Sequence, residues 1–212
     1  MLEVLTGAGL AASAGLNAYV PLLALGVLAR YTPLITLPSG WQWLENGWVL
    51  AILFVLLAVE VVADKVPALD SVNDALQTVI RPTAGGLAFG AGSVSETVTV
   101  SDPEAFFSDR QWIPVVAGVV IALLVHIVKA LTRPVVNAVT VGLGAPVVST
   151  AEDATSITMS LVAIVLPFLV ILFLIGMVLV GWVLLRRRAQ RKAERRADRE
   201  AAEWARRAGY PG

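Results

Sequence analysis

Three stretches of the chain are apolar and long enough to cross a bilayer as helices: Trp48–Ala63, Ile113–Leu131 and Ile157–Leu185. A crossing takes about 20 residues, or fewer where neighbouring protein shields the helix. The last stretch has 29 residues. At about 1.5 Å per residue it overruns a hydrocarbon core of roughly 30 Å. It is therefore expected to tilt, to bend at Pro167, or to begin inside protein. A fourth stretch, Leu5–Leu28, is long enough but carries Gly7, Gly9, Ser13, Gly15, Asn17 and Pro21. So many small and polar residues predict a helix that is broken or closely packed.

Two shorter segments, Pro82–Gly92 and Pro134–Val148, are rich in small residues. Each is introduced by Arg-Pro (Arg81-Pro82, Arg133-Pro134) and each carries Gly-x-Gly (Gly90/Gly92, Gly142/Gly144) at a constant spacing of 52. This points to an internal repeat with short or re-entrant segments, as in many transporter folds. Ser13-x3-Asn17-Ala18 and Ser149-x3-Asp153-Ala154 form a second weak match, 136 residues apart. Between the second and third spans, Val72, Ala75, Leu76, Val79 and Ile80 share one helical face. Asn73, Asp74, Gln77 and Arg81 share the other. Asp70–Arg81 is thus expected as an amphipathic helix on the bilayer surface or over a vestibule, with Asp70 or Ser71 as its cap.

Composition fits this pattern. With 57% hydrophobic and 15% charged residues, the chain is more apolar than a soluble domain. Lipid is its main solvent. There is no cysteine, which excludes disulfides and thiolate chemistry. The start, Met1-Leu2-Glu3, lacks the basic residues of a cleavable signal, so Leu5–Leu28 is expected to be the first membrane helix.

The formal net charge of zero hides an asymmetry. Ten of the 16 Lys and Arg residues lie between Arg186 and Arg207, leaving six bases against twelve acids in the body. Bases gathered in one tail do not make a nucleic-acid surface. They make an orientation signal, and the tail is expected to stay in the cytoplasm. Six segments place the loops with Lys65/Arg81 and Lys129/Arg133 on that side. They place Thr32–Gly47 and Ser93–Gln111, which hold one base and several acids, on the other. Both termini are then cytoplasmic, with residues 1–185 as the membrane domain and 186–212 as a basic helical tail. Arg186, Arg187 and Arg188 would meet anionic headgroups.

Ionisable groups inside such a domain are costly and mark function by default. Glu60 and Asp64, four apart, share a face at the end of the second span and can hold a cation or share a proton. Lys65 beside them can snorkel to water. His126, Lys129 and Arg133 share a face of the third long span, where the single histidine can shuttle a proton or simply pack. These bases are expected to pair with the acids of neighbouring helices, and such pairs can be purely structural. Ser149 and Glu152 read as a capping box opening the last helix, which leaves Asp153 as the better ligand. Ser13 and Asn17 can bond between helices or line a path. There is no Walker loop, dinucleotide fingerprint, HExxH or Gly-x-Ser-x-Gly.

These residues resemble a family of small bacterial membrane proteins, the domain of unknown function 4126. The resemblance lies in Gly15-Leu16-Asn17-Ala18-Tyr19 and in Val62-Ala63-Asp64-Lys65-Val66-Pro67 with Asp70, Asp74 and Gln77. It continues through Arg81-Pro82, Ala84-Gly85, His126-x2-Lys129-Ala130-x2-Arg133-x3-Asn137 and Ser149-x2-Glu152-Asp153. It spans roughly residues 5 to 185. It implies a single membrane domain and no particular activity.

The expectation is an all-α, polytopic transmembrane bundle of about six segments in the cell membrane. It is expected to act as a transporter or channel-like protein for a small ion or solute, without enzyme activity or cofactor. Its pathway residues would be Asn17, Glu60, Asp64, Asp70, Asp74, Gln77, Arg81, His126, Lys129, Arg133, Asn137, Glu152 and Asp153. The alternatives are a non-transporting scaffold or accessory subunit, and a membrane enzyme holding a divalent metal against lipid headgroups. The partners expected are the bilayer and, for a bundle this rich in small residues, further copies of the chain.

Overall fold

The computed structural model describes residues 2–65, 67–93, 112–140 and 144–207, with the side chains of 67–72, 74, 133–140, 145, 184, 188 and 191–207 outside the description. Every regular element among the described residues is helical. In chain order these are α1 (Leu2–Leu16), α2 (Tyr19–Tyr31), a 3-10 turn (Ser39–Glu45), α3 (Gly47–Ala63), α4 (Pro67–Gly92), α5 (Trp112–Thr140) and α6 (Ala145–Val165). A short 3-10 turn (Pro167–Leu169) and α7 (Val170–Arg207) follow. The chain divides into two compact units, Met1–Leu174 and Ile175–Gly212.

The centre of the first unit is α1. Every residue from Gly7 to Leu16 is buried, and α1 packs against α4, α5 and α6. A helix buried all round needs small residues where its neighbours approach. A Cβ on Gly15 would lie 2.6 Å from the Ala122 carbonyl oxygen of α5. The α4–α5 contact is as close: a Cβ on Gly85 would overlap Ala122 and come within 2.9 Å of the Gly118 carbonyl oxygen.

Among the described residues, two helices are long and apolar enough to cross a membrane, over Trp112–Thr132 and Pro167–Arg187. The 3-10 turn Ser39–Glu45 and α3 make a third such unit, bent by 64°. Asn46 opens α3 by accepting the Trp48 N–H at 2.9 Å. Large apolar side chains face outward along these elements, among them Phe54, Val59, Val120, Leu124 and Leu172. An exposed apolar surface that continuous has no place in water.

Several expected boundaries move. Pro82 does not open a new segment, because α4 runs through it from Pro67 to Gly92. Proline inside a helix is tolerated where neighbouring helices and Ser/Thr side chains re-satisfy the freed backbone groups. Likewise α5 continues through Pro134 to Thr140, and α6 begins at Ala145. The Arg-Pro pairs thus lie inside helices, not at starts of short ones, and Gly142 lies outside the described residues. The last long stretch breaks at Leu166-Pro167, where α6 gives way to a 3-10 turn. The helix break expected in Leu5–Leu28 falls at Asn17-Ala18.

The amphipathic stretch is turned inside out. Leu76 and Val79 are 59% and 70% exposed, whereas Gln77 and Arg81 are 2% and 0% exposed. The stretch is therefore the first half of α4, its polar face against the bundle and its apolar face outward, rather than a helix lying on a surface. That arrangement suits lipid outside and polar partners inside.

Candidate functional site

The polar faces of five elements meet where α1 breaks. Helix α1 stops because Asn17 diverts its side chain to the next helix: Oδ1 accepts the Tyr19 and Val20 N–H groups at 3.1 and 3.3 Å. These are N–H groups that the start of α2 would otherwise leave bare. The Asn17 amide nitrogen donates to Asp153 Oδ1 of α6 at 3.0 Å. At the other side of the break, the Leu16 carbonyl accepts from Lys129 Nζ of α5 at 3.0 Å. An ammonium at a helix C-terminus opposes the dipole's negative end.

Lys129, 3% exposed, is the hub. Besides Leu16 it reaches Glu152 Oε2 at 2.9 Å and Asp64 Oδ2 at 3.4 Å. Three ammonium protons meet three acceptors on three elements. Asp64 in turn takes the Asn73 amide at Oδ1, 2.6 Å away, and lies 3.7 Å from Arg81 Nη2. Arg81 binds Glu60 Oε1 through Nη2 at 2.9 Å. Its Nη1 lies 3.2 Å from His126 Nδ1. A guanidinium has no acceptor, so Nδ1 accepts, and the ring proton on Nε2 faces the Thr78 hydroxyl, 3.2 Å away. Lys65 closes the set, 3.7 Å from Asp153 Oδ2.

Glu60, Asp64, Arg81, His126 and Lys129 are all at most 4% exposed. Despite this, three atoms of the cluster have no hydrogen-bond partner among the described residues: Glu60 Oε2, Gln77 Oε1 and Arg81 Nε. Tyr19 adjoins them, within electrostatic reach of Glu60 and Arg81. A buried polar atom left bare costs about 1–3 kcal/mol, so these three atoms set Glu60, Gln77 and Arg81 apart from the satisfied members of the network.

Of the residues expected in a pathway, the structure brings together Asn17, Glu60, Asp64, Gln77, Arg81, His126, Lys129, Glu152 and Asp153. The side chains of Asp70, Asp74, Arg133, Asn137 and Arg188 lie outside the described residues. Arg81 and Lys129 point into the bundle from helix interiors, so they are not loop charges of the kind that orients a membrane protein. The capping box fails as well. The N-cap of α6 is Gly144, with Pro146 in the first turn, a position for which its fixed φ is suited. Ser149 is therefore a buried residue one turn in, with no partner for its hydroxyl among the described residues, and its neighbour Glu152 turns to Lys129 instead of a backbone N–H.

Ser156 and Ser160 escaped notice in the sequence. The Ser13 hydroxyl lies 2.7 Å from both of theirs. The signal was present: Ser149, Asp153, Ser156 and Ser160 stand at i, i+4, i+7 and i+11, one stripe of α6. Asn17 and Asp153, equivalent positions in the weak internal match, touch one another directly. Among the described residues no three His, Asp or Glu side chains gather as a metal site would need.

A model of the domain of unknown function DUF4126 matches residues 4–187. The chain belongs to the DUF4126 family. No curated protein and no solved structure matches it. The matched range covers every residue of the DUF4126 site described above and stops within the leading arginines of the tail.

In the second unit, the Arg186 guanidinium lies over the Trp182 ring, 4.1 Å from its centroid. Such a pair suits the level where hydrocarbon meets headgroups. Arg186 and Arg187 are exposed beside it.

Proposed function

We propose that this DUF4126 protein is a multi-pass transporter or channel-like protein of the cell membrane, moving a small ion through the polar site at the α1–α2 break. One observation carries the reading. Ionisable side chains from α3, α4, α5 and α6 are buried in one connected network inside an apolar bundle, at the ends of a discontinuous helix. Broken helices with exposed termini are the usual ion and substrate sites of transporters, and intramembrane charges of this density are retained where ions move. Both termini face the cytoplasm, held there by the basic tail. No enzyme chemistry is assigned to the site.

A specific observation favours a second reading, a non-transporting scaffold. Each described acid of the network meets a base: Glu60 with Arg81, Asp64 and Glu152 with Lys129, and Asp153 with Lys65. A network of this kind can simply fix the bundle. Flux separates the two. Purified protein in liposomes is expected to pass protons or a small cation down an imposed gradient, and Asp64→Asn to abolish that flux. Wild-type liposomes no leakier than protein-free ones to any small ion would leave the scaffold reading standing.

A further inference from the structure

We propose that Glu60 is the proton-binding residue of the site. The inference deepens the transport reading by naming the ion and the group that takes it up. The four described carboxylates of the network are not alike. Asp64 has the Asn73 amide on one oxygen and Lys129 on the other. Asp153 has Asn17 on one and Lys65 near the other. Glu152, 12% exposed at its side chain, has Lys129 at 2.9 Å and access to solvent. Glu60 is 2% exposed and has Arg81 on Oε1 and, among the described residues, nothing on Oε2. A buried carboxylate oxygen without a donor is a place where negative charge is not answered. A proton there turns a bare acceptor into a donor.

The neighbours complete the device. Gln77 Oε1 is a bare acceptor and Arg81 Nε a bare donor in the same buried cluster. The two residues stand one turn apart on α4, and a water molecule between them would donate to the one and accept from the other. The charged and titratable groups around Glu60 are Arg81 of α4, Lys129 and His126 of α5, Tyr19 of α2 and Asp64 one turn along α3. Glu152 and Asp153 of α6 stand behind the two lysines. Protonation at Oε2 removes the charge that holds Arg81 Nη2 at 2.9 Å. The guanidinium then has Asp64 Oδ2, 3.7 Å away, as its remaining carboxylate. Arg81 and Lys129 compete for that one oxygen, so a proton on Glu60 loosens Lys129 from Asp64 and leaves it to Glu152 and the end of α1. The electrostatic effect of the proton on Glu60 thereby reaches the helix break through Arg81, Asp64 and Lys129, while the proton itself stays on Glu60.

Infrared difference spectroscopy between acid and alkaline pH, on the full-length protein in lipid nanodiscs, tests this. The carbonyl stretch of a protonated carboxylic acid is expected to appear on acidification, to shift in deuterium oxide, to vanish in Glu60→Gln and to persist in Asp64→Asn. Should Glu60→Gln fail to fold, Glu60→Asp is expected to move the band in frequency. No such band in the wild type, a band unchanged by either Glu60 variant, or one present at every pH overturns the proposal. The outcome is separable from transport. A titrating Glu60 band in a protein without flux sinks the transport reading alone, and flux with a silent Glu60 sinks the proton site alone.

Discussion

At the scale of single residues, Lys129 and Asn17 each tie several elements together at the break. Lys129 neutralises two acids and ends α1 at once. Truncating one partner of a buried ion pair leaves a charge that nothing compensates, at about 3–5 kcal/mol. Lys129→Ala is therefore expected to lower the unfolding midpoint in detergent sharply, and Lys129→Arg to be a poor substitute. A planar fork cannot place its donors on the three acceptors that a compact ammonium reaches. Asn17→Ala removes only a cap and a partner of Asp153, so a loss of about 0.5–2 kcal/mol is expected. Equal losses for the two alanine variants would mean that Lys129 is not the hub. These residues stood out in the sequence because burying ionisable groups in an apolar stretch is expensive. Their partners did not. Nothing local says that Lys129 meets a carbonyl 113 positions away, or that the Glu152 beside Ser149 answers a lysine rather than a backbone N–H.

At the scale of elements, periodicity showed that α4 has two faces but could not say which faces inward. In water the apolar face goes in. Here Val79, 70% exposed, faces out while Arg81 is fully buried. If that outer face meets lipid, Val79→Lys is expected to disfavour membrane insertion by about 2.5–3.5 kcal/mol, read as reduced membrane-inserted yield at unchanged synthesis. A Val79→Lys protein inserted as well as wild type would put this face in water. The glycines divide the same way. Gly85 sits against the α5 backbone, so Gly85→Val forces α4 and α5 apart, at about 1–3 kcal/mol or more. Gly176 has nothing within 4 Å of where a Cβ would lie, so Gly176→Ala is expected to be neutral or slightly stabilising by melting temperature. The small-residue pattern predicted close packing. The run-through of Pro82 and Pro134 was not legible, because whether a proline breaks a helix depends on what its neighbours supply.

At the scale of the whole molecule, orientation now rests on fewer charges than a simple loop count supplies. Arg81 and Lys129 are spent inside the bundle, so among the described bases of the body Lys65 and Arg30 remain with exposed or half-exposed side chains. On the proposed topology the cluster at Arg186–Arg188 would carry most of the signal, with the Trp182 ring, which Arg186 covers, at the interface. The chain contains no cysteine, so a single introduced thiol reports its own side without background. Thr36→Cys, at an exposed position in the loop after α2, is expected to react with a membrane-impermeant maleimide in intact cells. Gln190→Cys is expected to react only in inverted vesicles. With Arg186, Arg187 and Arg188 replaced by alanine, the share of each thiol that labels from the opposite side is expected to rise, since the three of the ten tail bases that stand nearest the membrane are lost. Were orientation unchanged by that replacement, the determinant would have to lie in Lys65 and Arg30 or further along the basic tail.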